Sequence, residues 1–297
     1  MSLYKYLSID ILKKVIAGKI RFTQPGAFND PFEMLPELYV PENFDKKEIN
    51  IRFDVIAPRR NPSIGDLKLD YASDYCSDIT SRKILKSLNQ SIGILCLSKN
   101  HESLLMWSHY ADNYSGAVIE FDAEHEFFQG QIEVHYHERR PIKDIGTYLN
   151  NNEAIPISEL CVKSDQWIDE AEVRLVRSLT DCIKDKEGDK FPIYVMDIPI
   201  DCIKSVIMGE RTLLEHQREV WELVKETNIS LSLAAISNWG YEFRPELIKS
   251  NEPYPKVNPF ISPRTAHIFK DFTGDLGELA RWMIENHKLS CIVNQTV

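Results

Sequence analysis

Three adjoining stretches constrain the fold more than any other part of the chain. They are Gly93-Ile94-Leu95-Cys96-Leu97-Ser98, Leu104-Leu105-Met106-Trp107-Ser108-His109-Tyr110-Ala111, and Gly116-Ala117-Val118-Ile119-Glu120-Phe121. Two apolar runs of strand length flank an aromatic segment of helical length, all within about thirty residues. The pattern predicts strand, helix, strand. Ser98 ends the first strand beside Lys99, Asn100 and His101, and Trp107, His109 and Tyr110 follow closely. A polar strand end next to aromatic side chains is the raw material of a pocket.

Composition narrows the class. With 297 residues, 43% hydrophobic and 27% charged, the chain can bury a core as one large domain or two small ones. No apolar run approaches the roughly 20 residues that cross a bilayer, and the segment from Met1 to Tyr6 lacks the apolar core of a secretory signal. The expectation is a soluble, cytoplasmic protein with no membrane partner. The cysteines (Cys76, Cys96, Cys161, Cys182, Cys202 and Cys291) are far apart and form no zinc-type cluster, so they read as reduced thiols. A net charge of -10 argues against a broad basic surface for nucleic acid. Only local patches, at Arg59-Arg60 or Arg139-Arg140, remain for such a partner.

Along the chain, Leu3 to Tyr6 reads as a strand. Ser8 reads as the cap of a helix through Ile9, Leu12, Val15 and Ile16 that stops at Gly18. Lys19 to Thr23 is the next strand. From Thr23 to Glu33, Pro25-Gly26 and Asp30-Pro31 enforce a loop that Phe28 and Phe32 can pin to the core, with Asn29 and Asp30 stabilising the turn. Pro58 to Gly65 is turn-rich, and Leu67 to Leu88 reads as one or two helices. Gln131 to Tyr136 alternates like a strand; Pro156 to Lys163 reads as short helix or coil. Phe191 to Ile198 and Ile203 to Met208 are strands, and Thr212 is expected to cap a helix through Leu213 and Val224. Two more strands, a proline-punctuated connector and a helix over Asp275 to His287 complete the chain. The expected organisation is a single α+β core over 1–250, with a helical insertion at about 40–90, followed by a connector and C-terminal helix over 251–297.

The sharpest chemical signal is Trp167-Ile168-Asp169-Glu170-Ala171-Glu172-Val173-Arg174-Leu175-Val176. In an extended segment, period two puts Glu170, Glu172 and Arg174 on one face. Paired carboxylates can divide the work of orienting a nucleophile and stabilising positive charge at a sugar carbon. The plainer alternative is a solvated charge ladder on an exposed strand. Likewise Ser98 is also read as a turn residue, and His109 and Tyr110 as satisfied core groups. His135 and His137 share a face but have no third ligand in view, so no metal is expected.

Taken together, several motifs resemble one bacterial family, the domain-of-unknown-function family numbered twenty-nine seventy-one. They are Leu3-Tyr4-Lys5-Tyr6, Phe28-Asn29-Asp30-Pro31-Phe32-Glu33, Cys96-Leu97-Ser98, Met106-Trp107-Ser108-His109-Tyr110-Ala111, Glu120-Phe121, Glu170-x-Glu172-x-Arg174 and Ile207-Met208-Gly209. That resemblance implies a link to abortive infection and phage defence. The same order of elements resembles the ADP-ribosyltransferase fold, which implies a split mixed or antiparallel sheet with flanking helices and NAD as the substrate bound in a cleft. Residue by residue, it implies Glu172 and Glu170 as the catalytic pair. It implies cofactor contacts from Lys5 or Tyr6, Asn29, Asp30, Ser98, Trp107, His109, Tyr110 and Arg174. Lys5 stands where that superfamily has arginine or histidine. The function implied is a toxin-type transferase that cleaves NAD and passes ADP-ribose to a protein, RNA or DNA acceptor, with an antitoxin or phage trigger as partner. Two alternatives stay open: a non-catalytic recognition module built on Trp107 and Tyr110, and a metal-dependent nuclease using Asp30, Glu33, Glu120, Asp122, Glu170 and Glu172.

Overall fold

The computed structural model describes residues 1–39, 48–54, 63–70 and 77–293. Cys76 and the Arg59-Arg60 patch lie outside them. The chain divides into two compact units: Met1–Gly18, Asn100–Ala123 and residues from Ile198 onward form the first, and Lys19–Lys99 with Glu124–Asp197 form the second. The architecture is α+β with a mixed sheet and several helices.

In the first unit the sheet runs in the order Phe243–Lys249, Ser230–Ile236, Ile203–Met208, Ala117–Asp122, Ser2–Leu7. Ile203–Met208 and Ser230–Ile236 are parallel, and the remaining pairs are antiparallel. The parallel pair needs a crossover, which the helix Leu214–Val224 supplies, burying Val220, Trp221 and Val224. Pro245 lies on the strand at the end of this order, the place in a sheet where proline is tolerated. The helix Ile9–Ile16 buries Ile9, Leu12, Val15 and Ile16, and its end is marked by Gly18 at φ 88°. Thr212 does not cap the helix Leu214–Val224. Its hydroxyl donates to the Ser115 and Gly116 carbonyls, both at 3.1 Å, and so ties two loops together. After 251 the chain packs by aromatic contact, with the Trp221 and Phe269 rings 4.9 Å apart.

The second unit holds an antiparallel set in the order Ile92–Ser98, Glu172–Ser178, Ile132–Glu133. Four smaller sheets of two or three strands accompany it among the described residues. Its core gathers Ile84, Leu88, Ile92, Ile94, Ile155, Leu160 and Val176. The region read as helical over Leu67 to Leu88 is instead the strand Ser63–Asp70 followed by the helix Ser77–Ser91. Leu67-Lys68-Leu69-Asp70 has the strand period, and Ser63–Asp70 pairs with Glu48–Asp54. Phe28 packs against the core as expected, whereas Phe32 is 66% exposed. Pro31 and Phe32 form part of a turn in which the Asp30 carboxylate accepts from Phe32 N at 2.9 Å, and this turn aims the ring outward.

Candidate functional site

Two neighbouring pairings in the second unit build the site. The strand Glu172–Ser178 lies antiparallel to Ile92–Ser98 with Glu172 opposite Ser98 and Arg174 opposite Cys96. The short strands His135–His137 and Val162–Ser164 run parallel with Lys163 opposite Tyr136. These registers bring Lys163, Tyr136 and Glu172 together. Tyr136 Oη accepts from Glu172 N at 2.8 Å, and burial pushes the tyrosine pKa up to about 12.

Glu170 is not on the strand. Asp165–Glu170 is a 3-10 turn, and Ala171 at φ 42° breaks the period before the strand opens at Glu172. The turn is fastened to the end of the neighbouring strand: Ser98 Oγ donates to the Glu170 carbonyl at 2.6 Å, and Lys99 N to the Ala171 carbonyl at 3.0 Å. Glu170 therefore reaches Glu172 through the turn rather than along a strand face. Glu172 and Arg174 do share a face, as period two demands.

The cluster is buried, not a solvated ladder: Arg174 is 0% exposed and Glu172 5%. Every residue of Glu172–Ser178 is buried; Ile92–Ser98 pairs along its whole length, and Ile132–Glu133 lies on its other edge beside Val173 and Arg174. Lys163 Nζ lies 2.5 Å from Glu170 Oε2, 3.3 Å from Glu172 Oε2 and 3.6 Å from Glu33 Oε2. Arg174 donates Nε to Glu172 Oε1 at 2.8 Å and Nη2 to Glu172 Oε2 at 3.0 Å, and Nη2 also bonds Glu33 Oε1. Rings lie beside both cations: Trp167 is 5.0 Å from Lys163 Nζ, and Phe28 is 5.8 Å from Arg174 Cζ.

The electrostatics follow from burial working against every charge and opposite charges answering it. At Glu172, burial favours the neutral acid, but Arg174 and then Lys163 outweigh it and hold the carboxyl well below its usual range. At Glu33, burial prevails over Arg174 and Lys163, and its pKa is raised. Burial also opposes the Lys163 ammonium, yet Glu172, Glu33 and Glu170 keep it protonated. Three carboxylates thus share two fixed cations, and burial acts against the Glu33 charge more than its cations support it.

The expected site residues fall into two groups. Asn29, Asp30, Ser98, Glu170, Glu172 and Arg174 belong to the second unit, with Asn29 exposed and Asp30 engaged in its own turn. Lys5, Tyr6, Trp107, His109 and Tyr110 belong to the first. There Tyr6 and Trp107 are core residues with rings 5.5 Å apart. Trp107 Nε1 donates to the His101 carbonyl and Tyr6 Oη to that of Asn100, both at 3.0 Å. The aromatic set expected to line a recognition pocket therefore packs on itself, with His109 exposed at its margin.

The carboxylates considered for a metal separate in the same way. Glu120 accepts from Ser2 and Ser205 at 2.7 Å each, and Asp122 pairs with Lys204 at 3.1 Å. Among Glu33, Glu170 and Glu172, the central position is held by the Lys163 ammonium. Lys163 and Tyr136 join the site without a sequence motif to mark them; their local sign is no more than a lone lysine in the short run Cys161-Val162-Lys163-Ser164.

No curated protein and no solved structure matches the chain. Residues 106–175 match the sequence model of a family described as "Protein of unknown function (DUF2971)". The matched span takes in Tyr136, Lys163, Glu170, Glu172 and Arg174, while Glu33 and Ser98 precede it, and over these residues it supports the resemblance to that domain-of-unknown-function family.

Proposed function

We propose that the chain is an NAD-consuming, ADP-ribosyltransferase-like enzyme of a bacterial defence or toxin system, with the ionised Glu172 carboxylate as its essential group. The observation that carries this reading is the odd negative charge: Glu33, Glu170 and Glu172 against Lys163 and Arg174. In a low-dielectric setting, an excess charge attracts a proton or a developing positive charge. The raised pKa of Glu33 is one sign of it. The oxocarbenium-like transition state formed when the bond from ribose C1' to the nicotinamide nitrogen breaks would answer it. Nicotinamide leaves with the bonding electron pair, the acceptor's nucleophile attacks C1', and its proton passes to Glu170. Arg174 is a positioning residue, gripping Glu172 through two nitrogens.

The test is release of nicotinamide from labelled NAD by the purified protein, offered cell protein, RNA and DNA separately. Glu172→Gln keeps the size and shape of the side chain while removing its charge, and release by the variant, checked for folding by circular dichroism, should fall by about a hundredfold or more. Release in the wild type should increase with pH as Glu33 loses its proton. Undiminished release by a folded Glu172→Gln removes Glu172 from catalysis. No release in any pool favours the recognition reading. A specific feature supports that alternative: Trp239 and Tyr241, 94% and 99% exposed beyond the strand Ser230–Ile236, are residue types suited to anchoring a partner.

A further inference from the structure

A buried carboxylate meets a substrate only when something in front of it moves. Glu172 is 5% exposed, and the other charged members of the cluster, Glu33, Lys163, Glu170 and Arg174, are buried with it. Of the segments that meet at the cluster, the 3-10 turn Asp165–Glu170 is held differently from the rest.

The strands around the cluster are anchored by apolar side chains. Val162 is buried on Val162–Ser164, Leu95 and Leu97 on Ile92–Ser98, and Val173, Leu175 and Val176 on the strand of Glu172 itself. The turn has no such anchor. Its one buried residue is Glu170, while Asp165, Gln166, Ile168 and Asp169 are exposed and Trp167 is half-buried with its ring over Lys163 Nζ. Lifting the turn therefore exposes little apolar surface, which is what ordinarily resists local opening.

Polar contacts hold it instead. Ser98 Oγ donates to the Glu170 carbonyl at 2.6 Å, Lys99 N to the Ala171 carbonyl at 3.0 Å, and Lys163 Nζ to Glu170 Oε2 at 2.5 Å. Water takes the place of each partner when the turn lifts, so the net cost is a fraction of their strength. Ala171, between turn and strand, has φ 42°, a conformation that a residue with a Cβ adopts at a cost and that opening releases. Charge acts in the same direction. With Glu170 withdrawn, Glu33 and Glu172 face Lys163 and Arg174, one carboxylate to each cation, so the charge that leaves with the turn is the one in excess.

We propose that the turn Asp165–Glu170 is a gate, hinged at Ala171 and latched by Ser98 and Lys99. Its opening admits substrate to Glu172, and its closure returns Glu170 to the reacting centre. The gate rests on the reading of Glu172 as the working carboxylate, but its opening is observed without turnover.

The experiment is amide hydrogen exchange of the full chain by NMR, with no NAD present. Lys99 N reports the latch, and Ile94 N, bonded to the Thr23 carbonyl at 2.8 Å within the strand Ile92–Ser98, reports the unit as a whole. Lys99 should be less protected than Ile94 by about tenfold or more. Ser98→Ala, which removes one latch bond and keeps the backbone, should lower the protection of Lys99 by about three- to tenfold and leave Ile94 unchanged. Acetylation of Lys163 by an N-hydroxysuccinimide ester, located by mass spectrometry, should quicken in Ser98→Ala by a similar factor, because the turn over its ammonium has lifted. Three results would overturn the gate: Lys99 as protected as Ile94, Ser98→Ala changing both amides alike or neither, or Lys163 labelling that does not follow Lys99. Opening without NAD cleavage leaves the gate standing and removes the transferase reading, whereas Glu172-dependent release without opening does the reverse.

Discussion

At the scale of single residues, Arg174 decides whether the buried cluster is tolerable. It grips Glu172 and Glu33 together from a fully buried position. Removing one partner of a buried pair costs about 3–5 kcal/mol, because the remaining charges lose their compensation. Arg174→Met should therefore lower the urea-unfolding free energy at pH 7 by about that amount. The sign of the pH dependence follows from the two carboxyls. Glu172 has a depressed folded pKa, so its contribution is complete above the ordinary carboxylate range and disappears as pH falls through the folded value. Glu33, raised by burial, contributes in the opposite sense: its share is present at low pH and lost as pH rises through the raised value. The wild type should thus lose stability on acidification, and the gap between it and Arg174→Met should narrow as protonation removes the uncompensated charge. A gap that widens at low pH would contradict this account.

At the scale of elements, the segment from Ser103 to Gly116 shows how closely backbones can meet. Ser103 Oγ caps the helix Leu104–Tyr110 by accepting from Met106 N. Asp112, Asn113 and Tyr114 then adopt positive φ in succession. This arrangement is held by Tyr114 N to the Trp107 carbonyl at 3.2 Å and Arg211 N to the Tyr114 carbonyl at 3.0 Å. Gly116 follows, where a Cβ would lie 2.1 Å from the Leu7 carbonyl oxygen and 2.9 Å from Ala111 backbone. Backbone cannot swing aside as a side chain can. Gly116→Ala should therefore destabilise by about 3 kcal/mol or more, measured as a lower melting temperature with the same circular dichroism before the transition. A substitution without effect would mean that the loop can move away. The strand, helix and strand around this segment were legible from apolar runs and Gly116 alone. The three left-handed residues were not, since the bond from Arg211 N that helps hold them comes from a strand end nearly a hundred residues away.

For the molecule as a whole, charge rather than fold governs solution behaviour. The net charge of -10 and sequence pI near 5.4 predict that solubility is lowest at about that pH and recovers on either side. Light scattering across a pH series checks this, and a minimum far from the pI would indicate that a charged patch dominates association. Among the described residues no helix is long and apolar enough to cross a membrane.

The sequence by itself determined the alternation of strand and helix wherever one face had to be apolar. Ser2–Leu7, Ile9–Ile16, Ile92–Ser98, Ala117–Asp122 and Asp275–Asn286 are the clearest cases. It also showed that Glu172 and Arg174 share a face, because period two is a local property of extended backbone. Only tertiary structure decided that this face is buried, that Glu170 reaches it from a turn, and that Lys163 and Glu33 complete the cluster across separations of 9 and 141 residues. Side-chain period depends on neighbours in sequence, whereas desolvation and charge pairing depend on neighbours in space. The chemistry of this cluster comes from the second kind.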